Sequence, residues 1–325
     1  MRSSVFRYAR VIFCTGSILP SNQSPLGALP ARFRRERLLM VGCGDVGMRV
    51  VRDLGGRLRV LALTSSPERV SLLRQCGMTP LVANLDQPHT LRRLAGIATR
   101  VIHLAPPPAD GFADPRTAAL LAVLRLRRLP SALVYGSTSG VYGDCGGGVA
   151  SENRATNAHT PRAMRRVEAE RRVRHLGRAS GVRVSILRIP GIYAPDREGG
   201  TPKGRLLKGT PVLQPADDVY TNHIHADDLA RACLRALWRG LPLRVYNVND
   251  DTALKMGDYF DLAADMYGLP RPPRVALAQA REQLPLMLLS FMSESRRMDN
   301  SRMKQELKLK LRYPTVANGL GAKLL

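Results

Sequence analysis

Gly42, Gly44 and Gly47 stand as G-x-G-x-x-G inside the segment LLMVGCGDVGMRVVRDL. Glycines at this spacing hold a phosphate without using a side chain. The first permits a tight turn, the second lets backbone approach a pyrophosphate, and the third lets a helix pack closely on the strand before it. The helix N-terminus adds free amides and the positive end of a dipole. Cys43, Asp45 and Val46 fill the turn, and Cys43 reads as packing because a small side chain suffices there. Gly42 to Gly47 are therefore the expected pyrophosphate-binding residues of a dinucleotide site.

An acid at the end of the following strand would grip the ribose 2′-hydroxyl of NAD. This chain has Leu63-Thr64-Ser65-Ser66 there, followed by Glu68 and Arg69. The hydroxyls of Thr64 and Ser65, with Arg69, lean toward the 2′-phosphate of NADP, while Glu68 keeps NAD open. Asp86, after a third strand, is a candidate adenine partner; otherwise it caps the next helix.

These residues need a scaffold, and from Leu38 onward the chain supplies one. Short β-branched or leucine-rich runs at Leu38–Val41, Leu58–Leu63, Leu81–Ala83, Arg100–Leu104, Ala132–Tyr135, Val182–Leu187 and Arg244–Val248 read as strands. Between them, Val46–Leu54, Pro67–Cys76, His89–Leu94, Arg116–Leu126, Pro161–Leu176 and Ala226–Trp238 have helical length and patterning. The alternation predicts an α/β fold, a Rossmann-type doubly wound parallel sheet whose ligands sit at the carboxyl ends of the strands. Leu104, Ala105, Pro106, Pro190 and Ile192 lie at such ends and complete the expected cofactor cleft. Beyond Val248 the strand signal fades into helical patterns at Lys255–Tyr267, Leu277–Phe291 and Asn300–Lys308, which predict a smaller, mostly helical cap. The expected division is 37–195 and 223–250 for the dinucleotide domain, with 196–222 and 251–325 as a substrate cap.

Further segments resemble the extended short-chain dehydrogenase/reductase family. YGSTSGVYGD (Tyr135–Asp144) looks like its Ser-Thr-x-x-Val-Tyr-Gly element. ILRIPGIYAPDR (Ile186–Arg197) resembles its Leu-Arg-x-Pro-Gly-x-Tyr-Gly-Pro element, with Ala194 where glycine is usual. NHIHADDLARA (Asn222–Ala232) and VYNVNDD (Val245–Asp251) resemble its later elements. Pro106-Pro107-Pro108 and the tail SESRRMDNSRMKQEL point to the atypical bacterial epimerase/dehydratase-like subgroup. The resemblance implies NADP or NAD as cofactor and a hydroxyl- or carbonyl-bearing substrate, such as a nucleotide sugar. It also carries the expectation of a homodimer paired through helices.

One departure bears on mechanism. The family's chemistry rests on Tyr-x-x-x-Lys, the tyrosine exchanging a proton with substrate while a hydride moves to or from nicotinamide. Alignment on Pro161 and Glu170 puts Arg162 at the tyrosine position and Arg166 at the lysine position. None of the nine tyrosines has lysine four residues later. Arginine does not give up its proton in proteins, so it cannot be the base. Arg166 remains a candidate donor to ribose or phosphate, and Arg162 a candidate for an anionic substrate. Alignment on Val141-Tyr142-Gly143 gives Thr138 the place of the Ser/Thr that bonds the reacting oxygen, with Ser137 beside it. Tyr142 and Tyr193 are motif-borne phenols that either substitute for the missing base or pack as pocket walls. A non-catalytic NAD(P)-binding sensor or regulatory module is the competing reading.

His223-x-His225-x-Asp227-Asp228 has metal-like spacing, but the resemblance makes it a helix-starting turn with Asp227 or Asp228 as N-cap, and no metal is expected. The charge is +24, from 50 basic and 26 acidic residues. Such an excess ordinarily suggests nucleic acid. The arginines are spread along the chain and aromatics make up only 5%, so small phosphate-bearing molecules suit it better. No run of about 18 apolar residues suggests a membrane span. Five scattered cysteines fit reduced thiols and a cytoplasmic location. Residues 1–36 are arginine-rich, loop-forming and acid-free before Glu36. They read as a disordered leader or a start placed too early, with an organellar presequence as the alternative.

Overall fold

The computed structural model describes residues 36–321, so the leader expectation falls outside it except at Glu36, whose carboxylate pairs with Arg100 at 2.7 Å. The central strands are β1 (Arg37–Val41), β2 (Arg59–Thr64), β3 (Thr79–Val82), β4 (Arg100–His103), β5 (Ala132–Thr138), β6 (Arg183–Ile189) and β7 (Arg244–Asn247). They form one seven-stranded sheet in the order β7-β6-β5-β4-β1-β2-β3, with every pairing parallel. The order reverses between β1 and β4, and a crevice opens at that switch point.

A parallel sheet buries both faces, and the strands are mostly apolar for that reason, with polar residues such as His103, Ser137, Ser185, Arg188 and Asn247 as buried exceptions. Side chains alternate with the period of two. Leu38 and Met40 of β1 enter one core, and Leu39 and Val41 enter the opposite one. The first core is closed by α1 (Asp45–Leu54) and α6 (Ala226–Arg239), through Val50, Leu54, Leu229 and Cys233. The second is closed by α3 (Pro115–Leu124) and α4 (Pro161–Ser180), through Leu120, Leu124, Val173 and Leu176. The short helices α2 (Val70–Gln75) and α5 (Lys203–Leu207) complete the set up to α6, and α7 (Met256–Tyr267) belongs to the cap. A third cluster is built around Tyr193, Leu206, Val212, Tyr259, Phe260 and Val316.

Several expectations need correction. His89–Leu94 lies within a 3₁₀ helix, Pro88–Leu94, rather than an α-helix. The expected helix Leu277–Phe291 is two, Leu277–Gln283 and Leu286–Met292, because Pro285 between them cannot continue an α-helix. Arg297–Met298 pairs with Val149–Ala150, and Met303, Leu307 and Leu309 enter the core that holds Leu38 and Met40. The cap of α6 is His225, whose Nδ1 accepts from the Asp227 amide at 3.2 Å. Asp227 and Asp228 occupy the first helical turn instead, where they favour the dipole.

Candidate dinucleotide site and cap cleft

The glycine turn departs from β1 directly at the switch point. Gly42 has φ +97°, and a Cβ there would lie 2.4 Å from the Ala105 nitrogen, so glycine alone lets this turn meet the loop after β4. A Cβ on Gly47 would lie 2.6 Å from the Gly42 carbonyl oxygen. Gly44 differs: nothing lies within 4 Å of its would-be Cβ. Open space there, ahead of the α1 N-terminus, fits the approach of a pyrophosphate.

Asp45 is the first residue of α1, an acid where an anion is expected. Its charge is countered by Arg49 at 3.0 Å and Arg197 at 3.4 Å. Arg49 is buried and also holds Asp196 at 2.7 Å and Asp227 at 2.6 Å. This cluster neutralises the acid and ties the Asp196–Arg197 loop to α1.

Beyond β2, Thr64 is buried and its Oγ1 accepts from the Ser66 amide at 3.2 Å, while Ser65 is exposed. Arg69 donates to the Cys43 carbonyl at 2.6 Å, which sets its guanidinium beside the glycine turn. Asp86 is held by both edge nitrogens of Arg116 at 2.7 Å, and Arg116 also donates to the Pro106 carbonyl.

A cavity of about 290 Å³ runs from Gly42, Gly44, Asp45 and Val46 past Leu104 and Pro106 to Ser137, Thr138 and Arg166. A second cleft of about 520 Å³ lies under the cap, bordered by Tyr193, Arg205, His223, Tyr259, Phe260 and Arg296. The two share Thr138, Arg162, Pro190, Ile192 and Arg197, so they meet at the end of β5.

At that junction Thr138 is half-buried and its Oγ1 accepts from the Gly140 amide at 3.3 Å. Ser137 is less available: its hydroxyl donates to the buried Glu170 at 2.6 Å. Tyr142 borders neither cavity; it is fully buried and donates to Asn247 Oδ1 at 2.7 Å, so its phenol is removed from the cleft. Tyr193 borders the cap cleft but donates to the Thr315 carbonyl at 3.1 Å, and burial drives its pKa far up. Arg166 donates to the Gly136 carbonyl at 2.8 Å and to the Tyr135 hydroxyl at 3.1 Å. Arg162 rests over the Phe291 ring at 5.7 Å, and no carboxylate pairs with it among the described residues. Arg162 is exposed, but partial desolvation, then the charges of Arg166 and Arg165, lower its pKa.

Among the described residues, no three His, Cys, Asp or Glu side chains are grouped to hold a metal ion. No described helix is long and apolar enough to cross a membrane. Sequence reasoning missed Arg197 and Arg205 as cleft residues. Arg197 lies within a quoted motif, while Arg205 carries no local signal.

One buried acid has a consequence for pH. Asp250 is almost wholly enclosed, and burial pushes its carboxyl up to about 7 despite a bond from the Thr252 amide. Unfolded aspartate titrates near 3.9, so the folded chain retains a proton over the interval between. The stability this proton confers is complete below about pH 4 and is lost as pH rises through about 7. Asp250→Asn is expected to remove this fall, and melting temperatures of both proteins from pH 4 to 8 check it. Parallel curves would sink the assignment.

A comparison with curated proteins gives no match. Solved structures are similar over almost their whole length. A conserved protein of unknown function from Silicibacter pomeroyi is 30% identical, with TM-score 0.73, covering 88% of this chain and 96% of that one. UDP-glucose 4-epimerase from Thermotoga maritima, solved with UDP-glucose, is 17% identical with TM-score 0.72, covering 87% and 96%. UDP-glucuronic acid 4-epimerase from Bacillus cereus, solved with NAD, is 17% identical with TM-score 0.70, covering 88% and 97%. The model of the NAD dependent epimerase/dehydratase family matches residues 42–249, from the first glycine of the turn to just past the last central strand. The chain belongs to the NAD dependent epimerase/dehydratase family.

Proposed function

We propose that this protein binds NAD(P) at the Gly42–Gly47 turn and acts as an oxidoreductase or epimerase/dehydratase-like enzyme. Its substrate is a small anionic molecule bearing a hydroxyl or carbonyl, of which nucleotide sugars are one class. The observation that carries this reading is the junction of two clefts at Thr138, one running from the glycine turn and one lying under the cap. The related structures solved with NAD and with UDP-glucose support it.

In this reading Gly44 and the α1 amides face the pyrophosphate, and Arg166 faces the ribose. The nicotinamide, when bound, supplies a hydride acceptor or donor. Thr138 hydrogen-bonds the reacting oxygen and fixes its orientation. Arg162 stays charged through the reaction and stabilises negative charge on that oxygen while its proton is exchanged with solvent water, which replaces the electrostatic part of what a phenol–lysine pair would do. Arg69, beside the Cys43 carbonyl, supports NADP over NAD, because a guanidinium fork suits a 2′-phosphate. A cytoplasmic homodimer fits the family and the four described free cysteines.

Titration with NAD⁺, NADH, NADP⁺ and NADPH by calorimetry tests the reading. At least one should bind, with the phosphorylated forms tighter by about tenfold, or about 1.4 kcal/mol. Binding to none would sink it. Thr138→Ala should lower turnover at least about tenfold and leave nucleotide affinity within about twofold. The committed phenols of Tyr142 and Tyr193 favour a second reading, a nucleotide-binding regulatory module without turnover. Nicotinamide oxidation or reduction with any purified substrate would end that alternative.

A further inference from the structure

The side-on edge of an arginine, Nε with Nη2, matches the two oxygens of a carboxylate or phosphate. This chain uses that edge repeatedly: Arg100 holds Glu36 with it, Arg116 holds Asp86, Arg188 holds Glu170 and Arg271 holds Asp265. Arg205 presents the same two nitrogens with no partner, both of them buried. It comes from α5, borders the cap cleft, and lies with its guanidinium 4.3 Å from the Phe260 ring. Arg205 as a whole is half-buried, but its side-on edge is shut off from water and it cannot shed its proton to relieve the cost, so that edge favours an anionic partner.

The other charged groups around the cleft do not provide one. Glu294 is the carboxylate on the cleft wall, and it is taken by Arg296 at 2.7 Å. Arg197 is paired with Asp45. His223 faces the cleft fully buried, and burial lowers its pKa to about 4, so it is neutral at pH 7. That leaves Arg205 and Arg162 as cations on the wall without a carboxylate among the described residues. Arg162 borders both clefts, whereas Arg205 borders only the cap cleft.

We propose that Arg205 is the specificity-determining residue of the cap cleft, gripping through its side-on edge an oxyanion that the substrate carries besides its reacting oxygen. This deepens the enzymatic reading and rests on it for the word substrate. The oxyanion is a phosphate or a carboxylate. Contact requires the outer torsions of Arg205 to turn toward the cleft, over the face of Phe260.

Glycerol 3-phosphate, glycerate and uncharged glycerol share a hydroxylated scaffold and differ in the anion, so they serve as probes. Each is titrated calorimetrically into the full chain at fixed ionic strength, for the wild type, Arg205→Gln and Arg205→Lys. One or both anions should bind more tightly than glycerol, and which one does so identifies the group. Arg205→Gln should lose at least about tenfold of that affinity, and Arg205→Lys should regain only part, because an ammonium lacks the fork. Equal anion affinity in wild type and Arg205→Gln, or no preference over glycerol, would overturn the proposal. NADH titrated into the same samples reports the dinucleotide site and the fold. Arg205-dependent anion binding without NADH binding would sink the enzymatic reading alone. NADH binding with anion affinity indifferent to Arg205 would sink this proposal alone.

Discussion

Gly44→Val is expected to abolish nucleotide binding while leaving the fold intact. The Gly44 backbone is extended, with φ −76° and ψ −164°, a conformation that a β-branched residue adopts without strain. Beyond its chain neighbours no atom lies within 4 Å of the position its Cβ would take, so the folded chain loses only the modest preference for glycine at this helix N-cap. A dinucleotide has everything to lose, because the valine methyls occupy the space through which a pyrophosphate reaches the α1 amides. We expect an affinity loss on the order of a thousandfold, about 4 kcal/mol, with the melting temperature changed by no more than about 2 °C. Gly42→Ala makes the contrast. Its Cβ would lie 2.4 Å from the Ala105 nitrogen at positive φ, so it should lower the melting temperature as well as the affinity. Calorimetry with NADH or NADPH and thermal melts of both variants decide the matter. Unchanged affinity in Gly44→Val would place the phosphates somewhere else.

The contrast between these two glycines also shows which features the sequence carried. The G-x-G-x-x-G spacing is legible because each glycine answers a local demand of a turn. The parallel sheet is legible because strands buried on both faces must be apolar runs. Where polar residues continue a strand, the apolar run stops early: β5 extends through Gly136-Ser137-Thr138, three residues past the expected end at Tyr135. Long-range packing is another matter. Nothing local tells that Met303, Leu307 and Leu309 return to the core beside β1, because an amphipathic stretch does not name its partner. Tyr142 shows the same limit, since a motif places a phenol near the site but only the assembled core commits it to Asn247. Arg205 is invisible for a different reason. In a chain with 50 basic residues another arginine carries no contrast, and its distinction is the missing partner.

Glu170 is where that contrast turns into stability. It is fully buried and receives four bonds: Ser137 Oγ at 2.6 Å, Arg188 Nε at 3.1 Å, Arg188 Nη2 at 2.9 Å and Arg174 Nη2 at 2.8 Å. Arg188 is itself buried and stacks 4.6 Å from the Tyr142 ring. Removing the carboxylate leaves Arg188 charged and uncompensated in the core, which costs about 3–5 kcal/mol. For a domain of this size Glu170→Ala should therefore lower the melting temperature by roughly 6–20 °C. It also frees the Ser137 hydroxyl at the end of the strand that carries Thr138, so turnover should fall together with stability. The pH dependence has a definite sign. Burial raises the Glu170 pKa, but the bonds and charge of Arg188, then Ser137 and Arg174, outweigh it and the net shift is downward. The stabilisation is then present above the unfolded value near 4.3 and fades as pH falls through the lower folded value. The gap in melting temperature between wild type and Glu170→Gln should accordingly be full at pH 7 and narrow below about pH 4. The double variant Glu170→Gln, Arg188→Met removes both charges and should recover much of what Glu170→Ala loses, since the main cost comes from the stranded cation. If Glu170→Ala melts within about 2 °C of the wild type, or the double variant melts lower still, the cluster does not stabilise the fold in this way.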